Sequence, residues 1–157
     1  MGEDTRDVYK ISEACTGCTA CVRVCQVFAI TGERGKCHEI NALRCVACGV
    51  CGRVCPSAAI SDTNGKICTQ LKRPIWPKPC VDESICSACG ICVADCYFRA
   101  LSISLPKQRG DIRVYAELSA PGKCVGCGIC ERHCPLDAIV MVSPEPAAQP
   151  SVGEVRQ

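Results

Sequence analysis

Apolar and polar positions alternate along this chain only in short stretches. Leu101, Ile103 and Leu105 are separated by single serines, and Ile112, Val114 and Ala116 by Arg113 and Tyr115. This is the period-two pattern of a half-buried strand. Pro106 to Asp111, between the two stretches, reads as a hairpin loop. Upstream, the segment from Ile60 to Ile67 encloses the pair Asn64-Gly65, which favours a tight hairpin turn. An alanine followed by an aliphatic residue recurs at Ala29-Ile30, Ala59-Ile60, Ala100-Leu101 and Ala138-Ile139. The expected elements are short helices, each ending near a cysteine, followed by strands, in an α+β arrangement. No stretch is apolar enough to span a bilayer. The opening residues MGEDTRDVYK lack the apolar run of a secretory signal.

Composition shows that side-chain packing alone does not hold such elements together. Of 157 residues, 19 are cysteine and only six are aromatic. The 48% apolar fraction counts cysteine, and falls to about 36% without it, low for a chain that must offset its conformational entropy by burial. Cysteine-dense chains are stapled by disulfides in oxidising compartments or by metal in reducing ones. The absence of a secretory signal favours a cytoplasmic, metal-stabilised protein.

The cysteine spacing narrows the choice of metal. The chain reads CTGCTACVRVC from Cys15, CVACGVCGRVC from Cys45, CSACGICVADC from Cys86 and CVGCGICERHC from Cys124. Each is C-x2-C-x2-C-x3-C, and these four copies hold 16 of the 19 cysteines. Three thiolates spaced by two residues curl around one corner region of an iron-sulfur cubane, and a fourth comes from elsewhere. Small residues suit the close approach of backbone to an inorganic core: Gly17, Ala47, Ala88 and Gly126 at one place, Gly49, Gly90 and Gly128 at another, where copy one has Thr19. Zinc uses separated Cys-x2-Cys pairs and has no role for the third cysteine. A disulfide framework fits neither the spacing nor the compartment.

These motifs resemble those of the bacterial 8Fe ferredoxins, twice over, across residues 7 to 143. Pro56 and Pro135 follow the last cysteine of copies two and four as in that family, whereas Gln26 and Tyr97 replace them in copies one and three. The resemblance implies a ferredoxin-type domain at 1–71, a Pro-rich linker at 72–79, a second such domain at 80–143 and a flexible tail at 144–157. It also implies four 4Fe-4S clusters with crossed ligation, the fourth cysteine of each run, expected already in a helix, serving the neighbouring cluster. Cluster one then takes Cys15, Cys18, Cys21 and Cys55, and cluster two Cys45, Cys48, Cys51 and Cys25. Cluster three takes Cys86, Cys89, Cys92 and Cys134, and cluster four Cys124, Cys127, Cys130 and Cys96.

The remaining chemistry-bearing residues are fewer. Cys37, Cys68 and Cys80 lie outside the motifs and read as small buried hydrophobes, with Cys80, just ahead of Cys86, the one placed for a ligand role. His133 reads as a donor to cluster sulfur or a partly exposed helix residue, and Met141 as strand packing. Trp76 reads equally as a docking residue for a partner or a cover over the junction between domains. Lys72, Arg73, Lys78, Lys107, Arg109 and Arg113 are spread along the chain as solvated charges or contacts for acidic partners.

A cubane with four cysteine ligands has no open iron for a substrate and moves one electron at a time. No nucleophile triad, phosphate loop or dinucleotide fingerprint is present, so no catalytic residue is expected, and no nucleic-acid-binding motif appears. The formal charge is +2, and four oxidised clusters at −2 each would bring it to about −6, less acidic than free ferredoxins of the family. This favours an electron-transfer subunit over a diffusing carrier. Among such subunits the chain resembles the small iron-sulfur subunit of bacterial tungsten-containing aldehyde oxidoreductase complexes. That resemblance implies a larger tungsten-pterin catalytic subunit and a flavin subunit linked to NAD. Subunits of benzoyl-CoA reductase, formate dehydrogenase or hydrogenase complexes, a free tandem ferredoxin and a redox-sensing cluster protein are the alternatives. Clusters near both ends would also permit head-to-tail self-association.

Overall fold

In a computed structural model, which describes residues 8–144, one local unit occurs four times. Each cysteine loop enters a helix of only four or five residues: α1 (Ala20–Val24), α2 (Val50–Val54), α3 (Ile91–Ala94) and α4 (Ile129–Arg132). Such helices are too short to persist alone. Each is started by a residue in the left-handed region: Thr19, Gly49, Gly90 and Gly128, with φ between 62° and 79°. The third cysteine of each run lies inside its helix. The fourth, expected within the helix, instead lies beyond it: Cys25 and Cys55 cap α1 and α2 in extended conformation, and Cys96 and Cys134 follow α3 and α4 by two residues.

The strands pair in two-stranded antiparallel ribbons. β1 (Lys10–Ile11) pairs with β4 (Ile60–Ser61), and β2 (Ile30–Thr31) with β3 (Glu39–Ile40). In the second half β5 (Lys78–Val81) pairs with β8 (Ile139–Val142), and β6 (Ser102–Ile103) with β7 (Ala116–Glu117). In both halves, therefore, the first strand closes onto the last, around a central hairpin. Ribbons this small are not independently stable; each leans on the cysteine loops.

Two further expectations need correction. The segment 72–79 is structured: a 3-10 turn spans Arg73–Ile75, and Lys78 and Pro79 already belong to β5, where proline is tolerated because the ribbon has a free edge. The hairpin read from 101–105 and 112–116 is shorter, with Ser104 N–H to the Tyr115 carbonyl as the next bond. Leu105 and Ile112, placed in the pattern as inward, are 84% and 90% exposed. The hairpin turn expected at Asn64-Gly65 is present, closed by the Asp62 N–H to the Lys66 carbonyl at 2.8 Å, with Ser61 bridged to Ile67 across it, and Ile60 pairs in addition with Ile11 of β1. The tail at 145–157 lies outside the described residues.

Burial falls into three patches. One in each half contains cysteines and the aliphatic residues that follow Ala59, Ala100 and Ala138: Ile60 with Cys21, Cys51 and Cys55, and Leu101 and Ile139 with Cys92. The third joins the halves through Val24, Val50, Trp76 and Val125. Trp76 is 2% exposed, donates its indole N–H to the Leu71 carbonyl at 2.9 Å, and lies against the guanidinium groups of Arg53 and Arg73. It covers the junction. Among the described residues no helix is long and apolar enough to cross a membrane.

Candidate metal centres

Four cavities open inside this framework, each walled by cysteines from two different runs. One of about 290 Å³ is lined by Cys15, Cys18, Cys21 and Cys55. A second, of about 340 Å³, is lined by Cys25, Cys45, Cys48 and Cys51. The third, of about 330 Å³, has Cys86, Cys89, Cys92 and Cys134. The fourth, of about 370 Å³, has Cys96, Cys124, Cys127 and Cys130 together with Cys92. Among the described residues no three His, Cys, Asp or Glu side chains converge on a site for a single ion; the thiols stand around the cavity walls instead.

The backbone is shaped to bring N–H groups to these sulfurs. In every run the fourth cysteine accepts from the alanine four residues on: Ala29 to Cys25 at 3.3 Å, Ala59 to Cys55 at 3.4 Å, Ala100 to Cys96 at 3.4 Å and Ala138 to Cys134 at 3.3 Å. The residue just before each alanine makes this possible by adopting positive φ: Phe28 at 51°, Ala58 at 49°, Arg99 at 49° and Asp137 at 51°. An L-residue held there costs of order 1–3 kcal/mol, and the same strain recurs at four equivalent places. The recurring Ala-aliphatic pair is the sequence signal for this turn, although Phe, Ala, Arg and Asp give no hint of positive φ. Residues two after the first cysteine, Gly17, Ala47, Ala88 and Gly126, also have φ between 51° and 67°. At Gly17 a β-carbon would come within 2.6 Å of the Gly35 and Lys36 backbone, so only glycine fits.

The electrostatics of the thiols fit a bound cationic core. Burial pushes the Cys21 thiol up to about 11, and the Cys51 and Cys130 thiols up to about 12, with nearby cysteines adding to the effect. Cys48, Cys92 and Cys127 are also raised, again chiefly by burial. Packing several thiolates into so dry a space is unfavourable unless iron neutralises them. An all-thiol donor set with backbone N–H groups aimed at sulfur suits an iron-sulfur cubane.

Other singled-out residues take plainer places. Cys37 and Cys80, expected to be buried, are exposed, and Cys68 is half-buried against the first core patch. His133 follows α4, exposed, with Nδ1 2.6 Å from Asp95 Oδ2. Met141 lies in β8 and lines the fourth cavity. Lys78 donates to the carbonyls of Pro121 and Cys124, and Arg73 to that of Gly122, so these cations tie the chain together. Missed by the sequence reading was His38, 1% exposed and part of the first cavity wall.

Two protein families match parts of this chain. The 4Fe-4S dicluster domain family matches residues 85–139, and the 4Fe-4S binding domain family matches 8–31 and 38–61. The methylamine utilization ferredoxin-type protein MauM of Methylobacillus flagellatus is 34% identical over 101 residues. That alignment takes in 59% of this chain and 41% of the relative, so the chain spans about two fifths of that protein's length. A chain of the formate dehydrogenase - heterodisulfide reductase - formylmethanofuran dehydrogenase complex from Methanospirillum hungatei matches with a TM-score of 0.42 at 19% identity, over 88% of this chain and 54% of that one. Both halves thus match 4Fe-4S domain families, and the sixteen motif cysteines are the complement of four 4Fe-4S clusters.

Proposed function

We propose that the chain is the electron-relay subunit of a multi-subunit oxidoreductase, with the crossed ligand sets given above. The observation that carries the ligand assignment is the coincidence of each crossed quartet with one cavity wall. When bound, each cubane supplies a one-electron couple without an open coordination position. The chain's own residues hold the thiolates, direct N–H groups at sulfur and exclude water.

The way the halves meet supports a relay. Cys48 of the second run and Cys127 of the fourth pack against the same patch of Val24, Val50, Trp76 and Val125, and the Cys48 thiolate adds to the rise of the Cys127 thiol. Their equivalents in the first and third runs, Cys18 and Cys89, are exposed. This supports the order one, two, four, three for the sites, with an exposed ligand at each outer site for exchange with partners. A catalytic subunit and a second redox subunit at those ends fit this order. Following the resemblance in sequence, a tungsten-pterin aldehyde oxidoreductase with an NAD-linked flavin subunit is the assignment, and head-to-tail contact between chains would extend the same order.

Anaerobic purification through a tag on this chain, followed by metal analysis, tests the proposal. About 16 iron per chain, with tungsten in a larger stoichiometric partner, is the expected result. Iron alone in a lone chain would make it a diffusing tandem ferredoxin. Native mass spectrometry showing one copy per assembly at every concentration would remove the head-to-tail contact.

A further inference from the structure

The two halves differ at one buried position beside equivalent sites. The central ribbons share their register: Thr31 faces Glu39 as Ser102 faces Glu117. One step further along, Ile103 faces Ala116, and the same step in the first half sets Gly32 against His38. Bulk is exchanged between the two sides of the ribbon. A β-carbon on Gly32 would lie 2.8 Å from Cγ and Cδ2 of His38, so glycine makes room for the ring, whereas in the second half isoleucine stands opposite alanine. His38 and Ala116 are both 1% exposed.

The backbone at this position does the same work in both halves. The Ala116 N–H donates to Cys86 Sγ at 3.4 Å, and the His38 N–H likewise supports the Cys15 thiolate. The imidazole is additional. Its Nδ1 is 3.9 Å from Cys15 Sγ, the ring lines the cavity of Cys15, Cys18, Cys21 and Cys55, and Nε2 is buried without a partner. With the ring proton on Nδ1, the imidazole donates toward sulfur and Nε2 is the bare acceptor nitrogen.

We propose that His38 sets the potential of cluster one: its imidazole N–H, held against Cys15 Sγ, stabilises the reduced form and makes cluster one easier to reduce than cluster three. The inference rests on the assignment of Cys15, Cys18, Cys21 and Cys55 to cluster one. Hydrogen bonds to cluster sulfurs are among the determinants of potential. The couple gains one electron from the reductant, and no bond forms or breaks. The two outer sites, alike in exposure, then differ in potential, which gives the relay a preferred direction toward the end that carries Cys18.

The test is a dithionite titration of the full chain followed by EPR, comparing wild type with His38→Phe, which keeps a ring and loses the N–H, His38→Ala, which copies the second half, and His38→Gln, which keeps a donor. His38→Phe and His38→Ala are expected to weaken reduction of one cluster about tenfold, equivalent to about 59 mV for a one-electron couple, with His38→Gln close to wild type. Cys55→Ser identifies that cluster by removing its signal. Full iron loading with all four midpoints unmoved in His38→Phe would overturn the proposal. Loss of cluster one from His38→Phe and His38→Gln alike would also overturn it, by making the ring a structural support. Failure of the four-cluster assignment would instead appear in the wild type, as iron well short of about 16 per chain.

Discussion

The guanidinium of Arg53 donates from Nη2 to the Gly126 carbonyl at 2.8 Å, joining α2 of the first half to the cysteine loop of the second. The contact is reciprocated: Arg132, the equivalent residue of α4, donates from Nη1 to the Val46 carbonyl at 2.6 Å. Arg53 also donates to the Cys48 carbonyl and lies 5.9 Å from the Trp76 ring. Removing it leaves two carbonyls without their charged donor, at about 2 kcal/mol by the usual cost of such bonds. Arg53→Ala is expected to retain about 16 iron while limited proteolysis within residues 71–78 accelerates about 30-fold, as the opening equilibrium shifts by that energy. Unchanged cleavage would show that the junction is held by Trp76 packing alone.

Crossed ligation makes a specific expectation for Cys55. It follows α2, whose own loop contributes Cys45, Cys48 and Cys51, yet it lines the cavity of Cys15, Cys18 and Cys21. Cys55→Ser should therefore damage cluster one and leave cluster two intact. EPR of the anaerobic variant, with iron lowered by no more than about four per chain, checks this. Loss of the signal assigned to Cys45, Cys48 and Cys51 would overturn the crossing.

What could be read from the sequence was local. The fourfold spacing, the small residues at 17, 47, 88 and 126 and the turn at Asn64-Gly65 are short-range signals, and each has a counterpart in the structure. The pairing of β1 with β4 and of β5 with β8 joins residues about 50 to 64 apart through two to four positions, and so short a strand leaves no periodicity to detect. Leu105 and Ile112 carried the periodic pattern without being buried, since the loop leaves the ribbon at Ser104. Residue type alone predicts Cys37 and Cys80 to be buried, whereas strand alternation puts Cys80 outward between Pro79 and Val81. His38 stood outside every motif, and only the ribbon register brings it to Cys15.

The strained turn after each run is open to test at Ala58, which is exposed and has φ 49°. The strain serves to aim the Ala59 N–H at Cys55 Sγ. A β-branched residue resists the left-handed region most, so Ala58→Val should destabilise by about 1–2 kcal/mol, whereas Ala58→Gly should be neutral or slightly stabilising. The half-time of iron release to an excess of chelator, followed by absorbance, is expected to fall several-fold for valine and not for glycine. Equal half-times would mean that the turn is not strained in the loaded protein.

Thiols outside the runs should remain chemically free in the loaded protein. Cys37 and Cys80 are exposed, and Cys68 is half-buried. Alkylation of the holoprotein should mark Cys37 and Cys80 first, and the triple variant Cys37→Ser, Cys68→Ser, Cys80→Ser should keep its full iron content. Desolvation and the neighbouring Cys15 charge raise the Cys37 thiol. Because only the thiolate reacts, and a raised value shifts thiolate formation to higher pH, its labelling should continue to climb above the ordinary thiol range. A plateau at or below that range would contradict the raised value.

Removal of the clusters should unfold the chain rather than empty it. The ribbons are two to four residues long, the helices four or five, and cysteines supply much of each core patch in the two halves. Burial in the folded chain pushes the Cys51 and Cys130 thiols up to about 12, so the fold disfavours thiolates that iron does not neutralise. The cysteine-lined cavities then lose the core that fills them. The packing lost around that core is destabilising, and the apolar content without cysteine is too small to compensate. Binding free energy is in this case folding free energy. Treatment with acid and chelator should collapse proton NMR dispersion, including the indole resonance of Trp76, and anaerobic iron with sulfide should restore it. Retention of a dispersed spectrum without iron would show that the four-unit framework folds by packing alone.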